Sequence, residues 1–96
     1  MDVVVTYDID TTTRAGERRL LRVAKTCEGF GIRVQKSVFE CRLSVTGLAE
    51  MMMQLATKID STTDSVNIYR ITGDIRDARL SLGRPPSVQP GGVWIA

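Results

Sequence analysis

Asp8 and Asp10 stand two residues apart, at the end of a segment that begins with an apolar run at positions 3–5. A strand that ends at acidic residues holds their carboxylates on a rigid edge, where the oxygens can bind a hard cation such as Mg²⁺. The chain has no histidine, which excludes proton transfer by imidazole. The remaining reactive groups are carboxylate, lysine, tyrosine, cysteine and a water activated by a metal. These residue types favour metal-assisted hydrolysis or no chemistry at all.

The spacing of the two aspartates leaves two interpretations open. An extended backbone through Ile9 would send both side chains to one side, whereas a turn beginning at Ile9 would separate them. As structural residues they would end a strand and cap a helix. As functional residues, one aspartate per subunit suffices, because Mg²⁺ uses one or two protein carboxylates and keeps several waters. The functional hypothesis is that Asp8 of each subunit in a dimer binds Mg²⁺ at the two-fold axis and that a phosphodiester there is hydrolysed.

A second group of candidates is basic. Four cations recur at steps of four, four and three residues: Arg14, Arg18, Arg22 and Lys25. This spacing stacks them along one helix face, which favours contact with a phosphate backbone, and a plain solvated face is the alternative. Arg33, Gln35 and Ser37 alternate along a predicted strand and are expected to project together near Asp8. The net charge of +2 is too small to indicate a nucleic-acid partner by itself.

The first two elements that position these residues follow from hydrophobic periodicity. Residues 2–8 predict a buried strand that stops at acidic and threonine residues. One of the threonines at 11–13 is expected to cap a helix, whose apolar residues keep helical spacing up to Gly29. Gly16 is expected to weaken the first turn of this helix, so that the helix starts late.

The rest of the domain predicts a hairpin, a helix and a last strand. A period of two at 31–36 and 38–43 predicts two strands, with a turn or bulge near 36–37 because the buried face switches there. A second helix is predicted to open at 46–47, and a strand follows at 66–71. The order β-α-β-β-α-β is that of an α+β, ferredoxin-like fold with both helices on one sheet face. The other face is left for a partner, the simplest being a second copy.

Composition divides the chain into two parts. Residues 1–72 form the predicted ferredoxin-like domain, and residues 73–96, rich in proline and glycine, form a predicted C-terminal arm. The apolar end of the arm is expected to dock as an extra strand on a sheet edge in the dimer, with a frayed tail as the alternative. Cys27 and Cys41 match no zinc or redox spacing and are expected to be reduced core residues. No leader or membrane-spanning run is recognised, which predicts a cytoplasmic protein with no membrane partner.

Three segments carry a resemblance to a known family. They read VVTYDI at 4–9, GIRVQKSVFEC at 31–41 and DSVNIY at 64–69. Together they resemble the second family of CRISPR-associated proteins, the small spacer-acquisition proteins, and they extend over most of the first three-quarters of the chain. The middle segment is the most specific, because a Tyr-Asp-Ile triplet alone is a weak signal.

The resemblance implies a homodimer of ferredoxin-like subunits with Asp8 as the magnesium ligand and catalytic residue. It also implies supporting roles at motif positions, namely Tyr7, Arg33, Ser37 and Phe39. Members of the family are associated with magnesium-dependent cleavage of RNA or double-stranded DNA, and they bridge two integrase dimers during capture of foreign DNA. The role of Asp10 is not defined by the resemblance.

These observations predict a homodimer that binds double-stranded DNA through its basic helices during CRISPR spacer acquisition and is also a magnesium-dependent endonuclease on DNA or RNA. Two alternatives remain. One is a non-catalytic adaptor that joins integrase dimers, and the other is a toxin-like ribonuclease dimer of the same fold. Duplex binding needs cationic surface alone, whereas hydrolysis needs carboxylates at metal distance in an accessible cleft.

Overall fold

The computed structural model describes residues 1–84 and confirms the ferredoxin-like order, with one short helix added after the last strand. The elements are β1 (Asp2–Asp8), α1 (Arg14–Glu28), β2 (Gly31–Gln35), β3 (Val38–Arg42), α2 (Val45–Ala56), β4 (Ser65–Ile71) and α3 (Ile75–Ala78). The docking strand expected near the C-terminus lies outside the described residues. Within residues 1–84, no helix has both the length and the apolar character needed to cross a membrane.

The four strands form one sheet in the order β2-β3-β1-β4. β1 is a central strand and pairs antiparallel with both β3 and β4. Asp8, the last residue of β1, is the pairing partner of Ser65, the first residue of β4. The end of β1 and the beginning of β4 therefore lie side by side at one end of the sheet.

One face of the sheet packs against α1 and α2, as the sequence predicts. Val3, Val5 and Tyr7 alternate along β1 and are at most 5% exposed, because every second side chain of a strand points to the same face. The main residues that pack with them are Phe39 and Cys41 of β3, Val23, Ala24 and Cys27 of α1, and Met51 and Leu55 of α2. Both cysteines are buried free thiols, which confirms their predicted place in the core.

The two long helices begin with the same local structure. The hydroxyl of Thr13 accepts a hydrogen bond from the N–H of Gly16 at 3.0 Å, and Ser44 accepts one from Gly47 at 3.0 Å. The prediction that Gly16 delays the start of α1 is wrong, because the helix begins directly after Thr13. A Cβ at Gly16 would lie 1.8 Å from the carbonyl oxygen of Asp10. Glycine at this position allows α1 to pack closely on the β1–α1 loop.

The β2–β3 hairpin contains the irregularity that the sequence predicts, and it changes one expectation. Arg33 pairs with Phe39, whereas Gln35 pairs with Val38, and the register shifts between the two pairs. Because Val38 and Phe39 are consecutive strand residues, their side chains point to opposite faces. Arg33 and Gln35 therefore do not project together, and Ser37 lies in the turn. The expectation that all three residues share one polar strand face is wrong, although Arg33 and Ser37 both lie near Asp8 as predicted.

The second sheet face is partly covered by α3, which the sequence analysis did not predict. Ile75 is only 6% exposed, and its N–H donates to the carboxylate of Asp2 at 2.8 Å. Arg79, directly after α3, donates from Nε to Glu40 of β3 at 3.1 Å. Residues after β4 thus pack on the sheet as far as residue 79. The division into a domain at 1–72 and an arm at 73–96 stays a prediction.

Candidate metal and nucleic-acid site

Asp8 is an exposed carboxylate at the end of a central strand. Among residues 1–84, no hydrogen bond or ion pair engages this carboxylate. The backbone that carries it is held in the sheet, because β1 pairs with β4 as far as Asp8 and with β3 as far as Thr6. An unpaired carboxylate on a rigid strand end is available to bind a cation.

Asp8 lines an open cavity of about 400 Å³ between the end of β1, the β2–β3 turn and α1. The polar residues that share this cavity are Tyr7, Thr11, Arg33, Lys36 and Ser37. Its apolar wall consists of Ile9, Leu20, Leu21 and Ala24. The structure thus brings together four residues predicted from sequence, Tyr7, Asp8, Arg33 and Ser37, and it adds Lys36. Two cations beside an exposed carboxylate can attract a phosphate group.

Phe39 and Tyr7 form the support beneath Arg33. The Arg33 guanidinium carbon lies 5.2 Å from the centre of the Phe39 ring, and the Tyr7 and Phe39 rings stack with centroids 6.2 Å apart. Arg33 also approaches Glu28 of α1, with an N–O distance of 3.8 Å. These contacts hold the guanidinium at the cavity while one side of it remains exposed. Phe39 itself is buried and acts as a platform.

Tyr7 is a structural hydrogen-bond donor in this site. Its hydroxyl donates to the carbonyl oxygen of Lys36 at 3.3 Å, which ties β1 to the β2–β3 turn. Burial raises the pKa of the Tyr7 phenol above its usual value, although Arg33 opposes this shift. The phenol therefore stays protonated at neutral pH and does not act as a general base.

The two cysteines are also excluded as reactive groups. Burial raises the pKa of the Cys27 thiol to about 11 and that of Cys41 to about 12, so both remain neutral thiols in the core. Within the described part of the chain, no three acidic, histidine or cysteine side chains converge on a common metal position. The described residues therefore place one carboxylate in this cavity, that of Asp8, which fits a hydrated Mg²⁺ that takes one or two protein carboxylates.

Asp10 does not share the cavity, because the strand ends at Asp8 and the chain turns before α1. Its carboxylate accepts hydrogen bonds from the backbone N–H and the hydroxyl of Thr12, at 2.9 and 2.7 Å. These two bonds hold the pKa of the Asp10 carboxyl below its usual value. No turn begins at Ile9, because the first bend of this loop lies at residues 12–13, and Asp10 stabilises that bend through its hydrogen bonds with Thr12.

Sequence analysis missed a buried ion pair next to this loop. The Asp64 side chain is 0% exposed and accepts a hydrogen bond from Nε of Arg19 at 2.8 Å. Its carboxylate also accepts the backbone N–H groups of Asp10 and Asp60, at 2.9 and 2.8 Å. Arg19 holds the pKa of Asp64 well below its usual range, against the opposing effect of burial. The only sequence signal is that Arg19 falls outside the regular spacing of the four cations Arg14, Arg18, Arg22 and Lys25.

The basic stripe of α1 is a separate surface. Its members are all exposed, and none has an ion-pair partner within residues 1–84: Arg14, Arg18, Arg22 and Lys25. None of the four lines the cavity that contains Asp8. The four side chains lie on the exposed surface of α1, as their spacing predicts, and their contact with nucleic acid stays a prediction.

Fold and site together define a class: small ferredoxin-like proteins with one exposed strand-end carboxylate beside a cationic helix. The family model described as CRISPR associated protein Cas2 matches residues 1–78, and the chain belongs to this family.

Individual relatives agree with this assignment. The chain is 40% identical over 88 residues to the CRISPR-associated endonuclease Cas2 of Halalkalibacterium halodurans, covering 92% of each chain. It is 45% identical over 71 residues to the CRISPR-associated endoribonuclease Cas2 1 of Moorella thermoacetica, covering 74% of each. The crystal structure of Streptococcus pyogenes Cas2 at pH 6.5 superposes with a TM-score of 0.79 and 41% identity, over 86% of this chain and 100% of that one. One relative is thus named an endonuclease and another an endoribonuclease.

Proposed function

We propose that the chain is a magnesium-dependent endonuclease of CRISPR spacer acquisition that acts as a homodimer. The observation that carries the proposal is the unpaired, exposed carboxylate of Asp8 in a cavity that also contains Arg33 and Lys36. The names of the relatives, endonuclease and endoribonuclease, support hydrolysis of a phosphodiester. The cavity has the charge pattern that this reaction needs, since a metal-binding group and phosphate-binding groups lie side by side.

A second copy would raise the number of metal-binding carboxylates from one to two. One protomer supplies a single carboxylate, and a two-fold axis near Asp8 would supply a second one from the same position. Within residues 1–84, β4, whose first residue pairs with Asp8, is an edge strand of the sheet with no strand on its other side. Tyr69 on that strand is 55% exposed, so the surface next to the site has apolar area that a second copy can cover.

The residues of the cavity have distinct roles in the proposed reaction. Asp8 would hold Mg²⁺, which supplies polarisation of a phosphoryl oxygen and a water of lowered pKa. Arg33 and Lys36 would attract and orient the phosphate, and the Ser37 hydroxyl can donate to a phosphate oxygen. Leu21 is 70% exposed at the apolar wall and can pack against a sugar or base. Tyr7 fixes the turn that carries the cations.

Substitution of Asp8 tests the proposed activity. Asp8→Asn keeps the shape of the side chain but removes the charge, so we expect cleavage to fall by roughly 10²-fold or more, the scale of losing one electrostatic stabiliser. Cleavage is measured on double-stranded DNA and on RNA of the same sequence, with Mg²⁺ and with a chelator. Asp77→Asn, an exposed carboxylate on α3, is the matched control. Equal activity of Asp8→Asn and wild type would remove Asp8 from the mechanism.

A second candidate function is that of a non-catalytic adaptor that holds duplex DNA for an integrase subunit. The observation that favours it is the separation of the basic stripe from the Asp8 cavity, because the stripe can bind phosphates without the cavity. Arg18→Glu should weaken duplex binding. The slope of log K against the logarithm of the salt concentration should also become shallower, by about 1 for each phosphate that the protein no longer neutralises. Lys58→Glu makes the same charge change outside the stripe and should leave the slope unchanged. Equal slopes in the two variants would exclude the stripe as the binding surface.

A further inference from the structure

We propose that Asp64 and Arg19 form a positioning pair that fixes the backbone on both sides of Asp8. The inference rests on the proposed function, since it concerns how the metal-binding carboxylate is held in place. Neither Asp64 nor Arg19 lines the Asp8 cavity. Both therefore act through the backbone of the segments that meet there.

The Asp64 carboxylate joins three segments of the chain. One oxygen accepts the N–H of Asp10 in the β1–α1 loop at 2.9 Å. The other oxygen accepts Nε of Arg19 on α1 and the N–H of Asp60 before β4, both at 2.8 Å. Because the side chain is 0% exposed, water cannot replace these donors without opening the structure. The pair is thus a buried junction between the β1–α1 loop, α1 and the segment that leads into β4.

This junction fixes the position of Asp8 from two directions. Asp10 follows Asp8 by two residues, and Ser65, which directly follows Asp64, is the pairing partner of Asp8 in the sheet. On its other side, the carbonyl oxygen of Asp10 lies against Gly16 of α1, with no room for a Cβ. Both the N–H and the C=O of Asp10 are therefore held. Loss of the carboxylate would release one of these two restraints.

The catalytic consequence follows from the geometry that hydrolysis requires. A displacement of about 1 Å at a reacting group can lower the rate by up to about 10²-fold. Binding of nucleic acid, in contrast, depends on exposed cations that the junction does not touch. We therefore expect disruption of the junction to lower kcat while KM stays nearly constant.

The other end of β1 contains a matched control. Asp2 has a side chain 5% exposed and accepts Nε of Arg42 at 2.8 Å and the N–H of Ile75 at 2.8 Å. It is thus a buried aspartate with the same kinds of partner, one arginine and a backbone N–H. Asp2 is separated from Asp8 by roughly 20 Å, the length of six extended residues. Asp2→Asn removes comparable interactions without touching the Asp8 end of the sheet.

The experiment compares Asp64→Asn and Arg19→Lys with Asp2→Asn and Arg42→Lys. Hydrogen–deuterium exchange in the full-length protein without metal reports the protection of segment 8–12, and single-turnover and steady-state cleavage report kcat and KM. We expect the first two variants to exchange faster at 8–12 and to lose about 10–100-fold in kcat, with KM within about two-fold. The two control variants should change neither quantity.

Two results would overturn the proposal. One is unchanged exchange at 8–12 in Asp64→Asn, and the other is an equal loss of kcat in Asp2→Asn, which would mean that lost stability alone lowers activity. If Asp64→Asn does not fold, Arg19→Lys allows the same comparison, because lysine keeps the charge but not the fork of donors. Full cleavage by Asp8→Asn refutes the proposed function instead, and it is recognised separately because it does not involve Asp64.

Discussion

Replacement of Gly16 by alanine distinguishes helix propensity from tertiary packing. Gly16 and Gly47 both occupy the third position of a helix, and each donates its N–H to the capping hydroxyl at 3.0 Å. Propensity alone predicts that alanine stabilises both helices by up to about 1 kcal/mol. The surroundings differ, because a Cβ at Gly16 would lie 1.8 Å from a backbone carbonyl oxygen, whereas one at Gly47 would lie 3.3 Å from the Ser44 hydroxyl.

The size of the stability change depends on which atoms the new Cβ has to displace. At Gly47 a single hydroxyl can rotate slightly, so Gly47→Ala should be neutral or stabilising by up to about 1 kcal/mol. At Gly16 the β1–α1 loop must shift by well over an ångström, and overpacking of this kind costs about 1–3 kcal/mol. The expected net loss for Gly16→Ala is about 1–2 kcal/mol, which corresponds to a Tm decrease of roughly 4–16 °C for a domain of this size.

Thermal unfolding followed by circular dichroism measures both variants. Chain concentration is kept equal, because a dimer is stabilised by association and its Tm depends on concentration. Gly16→Ala should also lower cleavage, since the displaced carbonyl group of Asp10 lies two residues after Asp8. A Gly16→Ala protein as stable as wild type would refute the close approach of α1 to the loop, whatever Gly47→Ala does.

Three further predictions concern titration and hydrogen bonding. Hydrogen bonds from arginine hold the pKa of Asp2 and of Asp64 below the ordinary value of 3.8. The stability that these carboxylates contribute is therefore complete above about pH 4 and is lost as the pH falls further. The urea midpoint should drop below about pH 4, and it should drop less steeply in Asp64→Asn. Cys27 and Cys41 should react with a thiol reagent only after unfolding, and rapid labelling of the native protein would contradict their burial. Tyr7→Phe should lower the free energy of unfolding, measured by urea titration, by about 0.5–1.5 kcal/mol because the hydrogen bond to the Lys36 carbonyl is lost. It should leave kcat within about two-fold of wild type. A large loss of kcat would instead indicate a catalytic role for the phenol.

The main elements were predictable from sequence because their patterns are local. The period of two in β1 and the apolar spacing of α1 both arise from residues that face one core, so local sequence and tertiary environment agree. The switch of buried face near Lys36 likewise predicted an irregular hairpin. Its consequence for Arg33 and Gln35 was not predictable, because the position of the bulge depends on pairing with β3.

The buried ion pairs that escaped sequence analysis are long-range. Asp64 and Arg19 are 45 residues apart, and Asp2 and Ile75 are 73 residues apart. A buried aspartate has the same sequence appearance as an exposed one, so only the fold reveals its partners. Helix α3 was missed for a related reason, since its single buried residue, Ile75, produces no periodic pattern in four residues. The strand-end position of Asp8 was predictable because it is itself a local feature.

The two aspartate–arginine pairs at opposite ends of β1 have a consequence for how the sheet comes apart on heating. Within residues 1–84, β1 pairs with a strand on each side and has an ion pair near each end, whereas β2 pairs with β3 alone and contains the bulge. The free-energy cost of desolvating charged groups declines as temperature rises, so these two ion pairs lose less of their stabilising effect on heating than the rest of the fold does. Melting should therefore start at the β2 margin and reach β1 last, which would keep the strand that carries Asp8 intact until the sheet as a whole is lost.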